Sequence, residues 1–333
     1  MGARDAPRGR RRQGLVSAGA GGLDAGMRAD PLTAAEEALG AHLTGRPKIV
    51  SDRGQGALRR ITARAEGPGG PLALRIVPEM EAERWRRMET GARAMHAALK
   101  ERAHDHTPRV VASDEGTRAI LSEWAPGTTL LDAMHAARGD AALVELVEKA
   151  ARWTGALHAA TALGDRPVGT RAPVGWVRRI RERSDPVEPE ALDRALAMLA
   201  EEAASLDGQV GPYSVHHGDL HAMNLIVDGE DVTGIDPELP EEAPNARDLA
   251  YLLTDVAVRM APRLERGAIL PERMMARAMA AYGMDPGPLG FFCRVRLLRF
   301  WADVPADPNA RTLRREHVWQ GIKRRRGGLF PGL

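Results

Sequence analysis

The sequence is short of several things. It has one cysteine, Cys293, in 333 residues. An internal disulfide is therefore excluded, and a reducing compartment, hence a cytoplasmic location, is the expectation. Cys293 stands in the apolar run 291–300, the setting of a buried structural thiol rather than a nucleophile. No stretch of about 18 apolar residues occurs, so no membrane span is expected. Aromatic residues make up 4% of the chain, and none is interleaved with the basic runs 8–12 and 323–326. Single-strand nucleic-acid binding favours such interleaving. The runs read as solvated tails, and no nucleic-acid partner is expected. The formal net charge is only +2.

Hydrophobic residues make up 44%. With this length, that suffices for one large two-lobed domain or two modest ones. Residues 1–30 are rich in Gly, Ala and Arg, without periodicity and without an apolar segment of signal-peptide type. A disordered tail is expected there.

From Pro31 the pattern becomes orderly. Asp30 is placed to cap a short helix through Glu36, Glu37 and Leu39. An extended stretch starts at Ile49-Val50 and is broken by Gly54 and Gly56. Leu58 to Ala65 and Leu72 to Val77 read as strands around the turn cluster Gly67-Pro68-Gly69-Gly70-Pro71. Trp85, Met88, Ala92, Met95 and Leu99 recur at helical spacing, which predicts a helix over roughly Glu79 to Glu101. Arg109 to Ala112 and Arg118 to Trp124 read as a strand pair about Asp114-Glu115-Gly116. Beyond the break at 123–127, helices are expected over Leu130 to Ala162 and Pro189 to Leu206. Strands first and helices later imply an α+β chain with a small sheet-rich lobe and a larger helical one.

The reactive residues concentrate in His216-His217-Gly218-Asp219-Leu220-His221-Ala222-Met223-Asn224, followed by Gly234-Ile235-Asp236-Pro237-Glu238. Leu225 to Val227 and Val232 to Ile235 read as two short strands about Gly229-Glu230-Asp231. Asp219 and Asn224 then lie on the loop entering a hairpin, and Asp236 at its exit. Phosphoryl transfer uses such a set. A carboxylate takes the proton of the attacking hydroxyl, which suits Asp219. Magnesium, a hard ion, takes oxygen ligands, which suits Asn224 and Asp236, with ATP phosphates completing its shell. By spacing, His217, Asp219 and His221 could instead ligate zinc, but that reading supplies no fourth ligand and leaves the Gly-Ile-Asp hairpin without a role.

The spacing His217-x-Asp219-Leu220-x-x-x-Asn224 matches the catalytic loop of protein kinases. The form His-Gly-Asp-Leu-His with its later Asn, together with Gly234-Ile235-Asp236, resembles the aminoglycoside phosphotransferase and choline kinase-like superfamily. The resemblance covers about residues 46–300. It implies a protein kinase-like two-lobed fold, with a small N-terminal β-rich lobe and a larger, mainly helical C-terminal lobe. Its boundaries would be a nucleotide-binding lobe over 31–125 and a catalytic and acceptor-binding lobe over 126–333. It further implies ATP and magnesium as cofactors, Asp219 as catalytic base and His221 either beside the transferred phosphate or bracing the loop. His217 and Asp248 would brace the loop, and His216 would be incidental. Leu157-His158-Ala159 is similar to a helix-packing feature of the family.

In the first lobe, Leu72-Ala73-Leu74-Arg75 resembles the Val-Ala-Ile-Lys strand, with Ala73 under adenine. Arg75 departs from the pattern by replacing the phosphate-binding lysine, and a guanidinium is a planar fork where an ammonium is a point charge. Glu83 is the expected acidic partner of Arg75, Gly54-Gln55-Gly56 the turn over the phosphates, and Glu123 to Ala125 the hinge that bonds adenine. The acceptor is expected to be a small molecule with a hydroxyl group: an aminoglycoside, a sugar or an amino alcohol. Glu238, Glu241, Glu242 and Asp248 form an acidic stretch suited to a polyamine. A kinase of a protein or lipid-linked sugar, or a catalytically silent nucleotide-binding scaffold, are the alternatives. The sequence leaves the oligomeric state open.

Overall fold

A computed structural model describes residues 30–56, 59–238, 241–265 and 268–332. The tail expected over 1–30 lies outside them except for Asp30, as does the expected strand start at Leu58.

The chain opens with α1 (Pro31–Leu39), whose first turn is capped as the sequence predicts: the Asp30 carboxylate accepts from Thr33 N at 3.3 Å. β1 (Lys48–Arg53), β2 (Arg60–Gly67) and β3 (Gly70–Ile76) follow, then α2 (Ala82–Leu99), β4 (Asp105–His106), β5 (Val110–Asp114) and β6 (Ala119–Glu123). A five-stranded antiparallel sheet forms in the order β1-β2-β3-β6-β5. Alternation along β3 separates its faces. Leu72, Leu74 and Ile76 are buried with Ile61, Ala63 and Leu121 beneath Leu32, Ala35 and Leu39 of α1. Ala73 and Arg75 stand on the opposite face, half-buried.

Helix α2 belongs to both halves. Trp85 and Met88 join Val77, Met80, Val110 and Ile120 in a small cluster, while Met95 and Leu99 enter the large core of the second lobe. Full burial of each of these last two side chains stabilises the junction by about 1.5–3 kcal/mol.

The second lobe begins with β7 (Thr128–Thr129), α3 (Leu130–Ala136), α4 (Gly139–Ala160), β8 (Ala162–Pro167), α5 (Arg171–Arg181) and α6 (Pro189–Leu206). It continues with β9 (Val210–Val215), β10 (Leu225–Asp228), β11 (Asp231–Gly234), β12 (Glu242–Pro244), α7 (Asn245–Arg259), α8 (Glu272–Tyr282), α9 (Leu289–Ala302) and α10 (Leu313–Leu329). The helix expected over Leu130 to Ala162 is two helices, parted at Ala137 and Arg138, and Gly139 opens the second with a φ of +80° that favours glycine. A three-stranded sheet β12-β9-β8 was not foreseen. The expected hairpin is present, with Leu225 opposite Gly234 and Asp228 opposite Asp231. It sits in a four-stranded sheet, order β4-β11-β10-β7, in which β4, from just after α2, runs parallel to β11. Gly127 lets the linker cross this hairpin: its φ is +107°, and a Cβ there would meet Val227 O at 2.3 Å. The architecture is α+β and two-lobed, a small β-rich N-terminal lobe on a larger, mainly helical C-terminal one. Among the described residues, no helix is long and apolar enough to cross a membrane.

Candidate active site

The loop 216–224 has no repetitive backbone bonding of its own, so its shape depends on partners from elsewhere. Bonds from α7 and from the segment after the hairpin supply it. His217 N donates to Asp248 Oδ2 at 2.7 Å, and the His217 ring donates from Nε2 to Ile235 O at 2.8 Å. Glu238 N returns to His217 O at 3.0 Å, so the loop and the segment after the hairpin are closed on each other. Ala222 N donates to Asp255 Oδ2 at 3.1 Å. Asp248 and Asp255 lie two turns apart on one face of α7, so a single helix holds both ends of the loop. Gly218, with φ +85°, makes the turn between them.

These tethers bring three oxygen-bearing side chains to one end of the hairpin. The Asn224 side-chain amide donates to Asp219 O at 2.9 Å, which leaves its Oδ1 as the acceptor facing away. Ile235 N donates to Asn224 O at 2.9 Å, which seats Asp236 beside Asn224. Asp236 itself adopts φ +57°, a left-handed conformation uncommon outside glycine. Its Oδ1 accepts from Arg75 Nη1 at 3.0 Å, joining the two lobes. Arg75 Nη2 is buried and has no acceptor among the described residues. A buried guanidinium nitrogen without a partner is costly, and a phosphate oxygen would satisfy it.

His221 lies beside Asp219, with Nε2 3.6 Å from Oδ2. Its Nδ1 accepts from Met223 N at 3.2 Å, so the ring proton sits on Nε2, toward the carboxylate. Burial acts to raise the Asp219 pKa, but His221, then His217 and Arg296, outweigh it, and the carboxyl is held below its ordinary value. Asp219 is thus an anion at neutral pH.

The zinc alternative finds no support in this geometry. The Nε2 of His217 is taken by Ile235 O, its ring lies edge-on to Trp153 at 5.9 Å, and burial lowers its pKa. His216, expected to be incidental, is buried. It stacks on His158 at 5.2 Å, with Nδ1 3.5 Å from Asp248 Oδ1. Burial lowers its pKa to about 4, so the ring is neutral. Asp248 is held far below the usual carboxylate range: burial opposes this, but His216 and His158 prevail. His158, His216 and Asp248 form a buried polar cluster, with His158 Nδ1 bonded to the Tyr282 hydroxyl at 2.8 Å and the Nε2 atoms of both histidines without a hydrogen-bond partner among the described residues.

The expected first-lobe residues are less convergent. Gly54 and Gly56 lie in the exposed turn between β1 and β2, with φ of +80° and +54°. Glu83 is exposed in the first turn of α2 and makes no ion pair with Arg75. The reason is angular: Trp85 and Met88 face the sheet, and a residue two before Trp85 points to the other side of a helix. Its neighbour Arg84 instead reaches Glu238 at 3.8 Å, where Arg60 also bonds. Glu123, at the end of β6, pairs with Arg109 at 2.8 Å, and Ala125 is half-buried just beyond it. Trp124 N donates to Pro71 O at 3.0 Å, tying this segment to β3. Sequence reasoning did not find Asp255, Arg60 or Arg84 as partners. The seven-residue spacing of Asp248 and Asp255 was the one available signal.

A two-lobed architecture with an Asp-Asn-Asp oxygen set at the mouth of a hairpin, and an arginine reaching it from the sheet, defines a kinase-type phosphotransferase. The family model described as "Phosphotransferase enzyme family" matches residues 50–287. The chain belongs to this family. Solved structures show the same fold. It resembles amicoumacin kinase hAmiN in complex with AMP-PNP, Ca2+ and Ami: TM-score 0.61, 14% identity, covering 89% of this chain and 93% of that one. It resembles a choline/ethanolamine kinase family protein from Mesorhizobium loti: TM-score 0.56, 15% identity, 88% and 93% covered. It also resembles spectinomycin phosphotransferase in complex with ADP and spectinomycin: TM-score 0.53, 13% identity, 87% and 92% covered. Among curated proteins, no match was found.

Proposed function

We propose that this chain transfers the γ-phosphoryl group of ATP to a hydroxyl group of a small molecule, with Asp219 as the base and magnesium held by Asn224 and Asp236. The observation that carries the reading is the oxygen set closed by Asn224 Nδ2 on Asp219 O and Ile235 N on Asn224 O. Its donor chemistry fits a hard divalent ion: the Asn224 Oδ1 and the second Asp236 oxygen are acceptors not used by these bonds. Bound magnesium would offset phosphate charge.

The acceptor hydroxyl gives its proton to an Asp219 oxygen as its own oxygen bonds to the γ-phosphorus. The bond from that phosphorus to the β–γ bridging oxygen breaks, and ADP leaves with the electron pair. The proton on Asp219 passes to solvent after product release. His221 orients the carboxylate through its Nε2 proton. Arg75 meets the nucleotide phosphates through its unpartnered Nη2 while its Nη1 holds Asp236 Oδ1, and the other Asp236 oxygen would be left for magnesium. Ala73, on the same face of β3, leaves room for the adenine, with Glu123 to Ala125 as its backbone edge. Gly54 and Gly56 cover the phosphates.

The test is ATP turnover with and without magnesium, over a panel of hydroxylated small molecules. Asp219→Asn should lower kcat by roughly a thousandfold or more while ATP binding persists. Turnover that survives this substitution, or that is indifferent to chelation of magnesium, would refute the assignment.

A further inference from the structure

The acids that suited a polyamine acceptor are all engaged within the chain. Glu238 is taken by Arg60 and Arg84, Glu241 by Arg247 at 2.8 Å and Glu242 by Arg166 at 2.6 Å. Asp248 is buried under the loop. The charge without a partner on α9 is of the opposite sign. Arg296, on α9, lies with its guanidinium 4.3 Å from the ring centre of Tyr251 and 4.5 Å from that of Phe300. Tyr251 shares the face of α7 that carries Asp248 and Asp255, the two residues tethering the loop of Asp219. Arg296 therefore sits in the layer next to that loop.

Among the described residues Arg296 makes no hydrogen bond or ion pair, and its Nε is buried without an acceptor. The carboxylates near it are committed. Asp255 holds Ala222 N and Arg259, the latter at 2.7 Å, and Asp219 is the base. Arg247 also lies by Tyr251, 5.9 Å from its ring centre, and Arg299 stacks on Trp176 while pairing with Asp303. Burial drives the Arg296 pKa down, and the charges of Arg296 and Asp219 act on each other. The side chain is half-buried, and its cation–π contacts leave the buried Nε without an acceptor.

Resting on the kinase reading above, we propose that the acceptor carries an oxyanion as well as its hydroxyl group, and that Arg296 receives that oxyanion. The acceptor class is then a hydroxylated carboxylate or phosphate ester. A guanidinium fork offers such a group two parallel donors, and repels a polycationic acceptor.

The test uses the full chain with matched acceptors: gluconate and glycerol phosphate, their uncharged counterparts glucose and glycerol, and the aminoglycoside kanamycin. The acids should exceed their neutral counterparts at least about tenfold in kcat/KM. Preference for gluconate or for glycerol phosphate assigns the oxyanion as carboxylate or phosphate. Arg296→Met should raise KM for the preferred acid by about ten- to a hundredfold, and Arg296→Lys by less. The lysine variant, which keeps the charge, also guards against a methionine variant that fails to fold. Acids no better than their neutral counterparts, including an equal absence of turnover, would overturn the inference, as would preference for kanamycin. A kcat loss with a shifted acid limb in the pH profile and unchanged KM would overturn it too, making Arg296 a positioning residue for Asp219. Magnesium-dependent ATP binding, measured in parallel, separates the outcomes: its presence leaves the kinase reading standing when the inference fails, and its absence removes both.

Discussion

One methyl group added at Gly234 tests how the core sets the loop of Asp219. A Cβ there would fall 2.1, 2.5 and 2.8 Å from three atoms of the Trp153 indole. Ordinary contact needs more than about 3.4 Å, so something must shift by roughly 1 Å. The strand is the less free of the two, because Gly234 is paired opposite Leu225 and the next residue bonds Asn224. Trp153 is fully buried, donates from Nε1 to His106 O at 2.8 Å and abuts the His217 ring. Pushed aside, it would press on the ring that closes the loop of Asp219. Gly234→Ala should cost about 1–3 kcal/mol in urea denaturation, the usual price of overpacking. It should also lower kcat by about a hundredfold, the scale of a 1 Å misplacement. Trp153→Phe removes the part of the ring that collides. The double variant should therefore be more stable than the sum of the single effects, with a coupling of at least about 1 kcal/mol. A Gly234→Ala protein of unchanged stability, or a coupling near zero, would refute this account of the packing.

Three further expectations follow from the same structure. Asp248→Ala leaves His217 N without its 2.7 Å acceptor and removes the carboxylate packed beside the His216 and His158 rings, and should destabilise by about 2–4 kcal/mol in thermal or urea unfolding. His216 is held at about 4 in the fold against an ordinary 6.5, so between these values only the unfolded chain takes up its proton. Stability should therefore fall as pH drops through that window, by about 3 kcal/mol, and His216→Gln should flatten the dependence. Arg75→Met removes the guanidinium from the cleft and should weaken magnesium-ATP binding by about ten- to a hundredfold in calorimetry, with little change for acceptors.

Much was legible because local chemistry set it. Alternation along 72–76 assigned Arg75 and Ala73 to one face of a strand before any partner was known. Asp30 announced a helix start, and Gly229-Glu230-Asp231 marked the turn that separates Asn224 from Asp236. The three-stranded sheet was not legible. Its strand Ala162–Pro167 contains Gly and Pro and shows no alternation, so only its partner Val210–Val215, far along the chain, makes it a strand. The helix α5 went unseen because it buries just Val174 and Val177 among its arginines.

The sequence by itself determined which carboxylates and amide stand at the entry and exit of one hairpin, since their spacing is a local property of loop and turn. Only the tertiary structure decided the charges around them. Arg75 meets Asp236 across 161 residues rather than Glu83 nearby, and Glu238 is neutralised by Arg60 across 178. Ion pairing depends on which side of a helix or strand a residue faces and on what packs against it. A chain rich in arginine and acid offers many pairings of equal plausibility, and the packing of the lobes selects one.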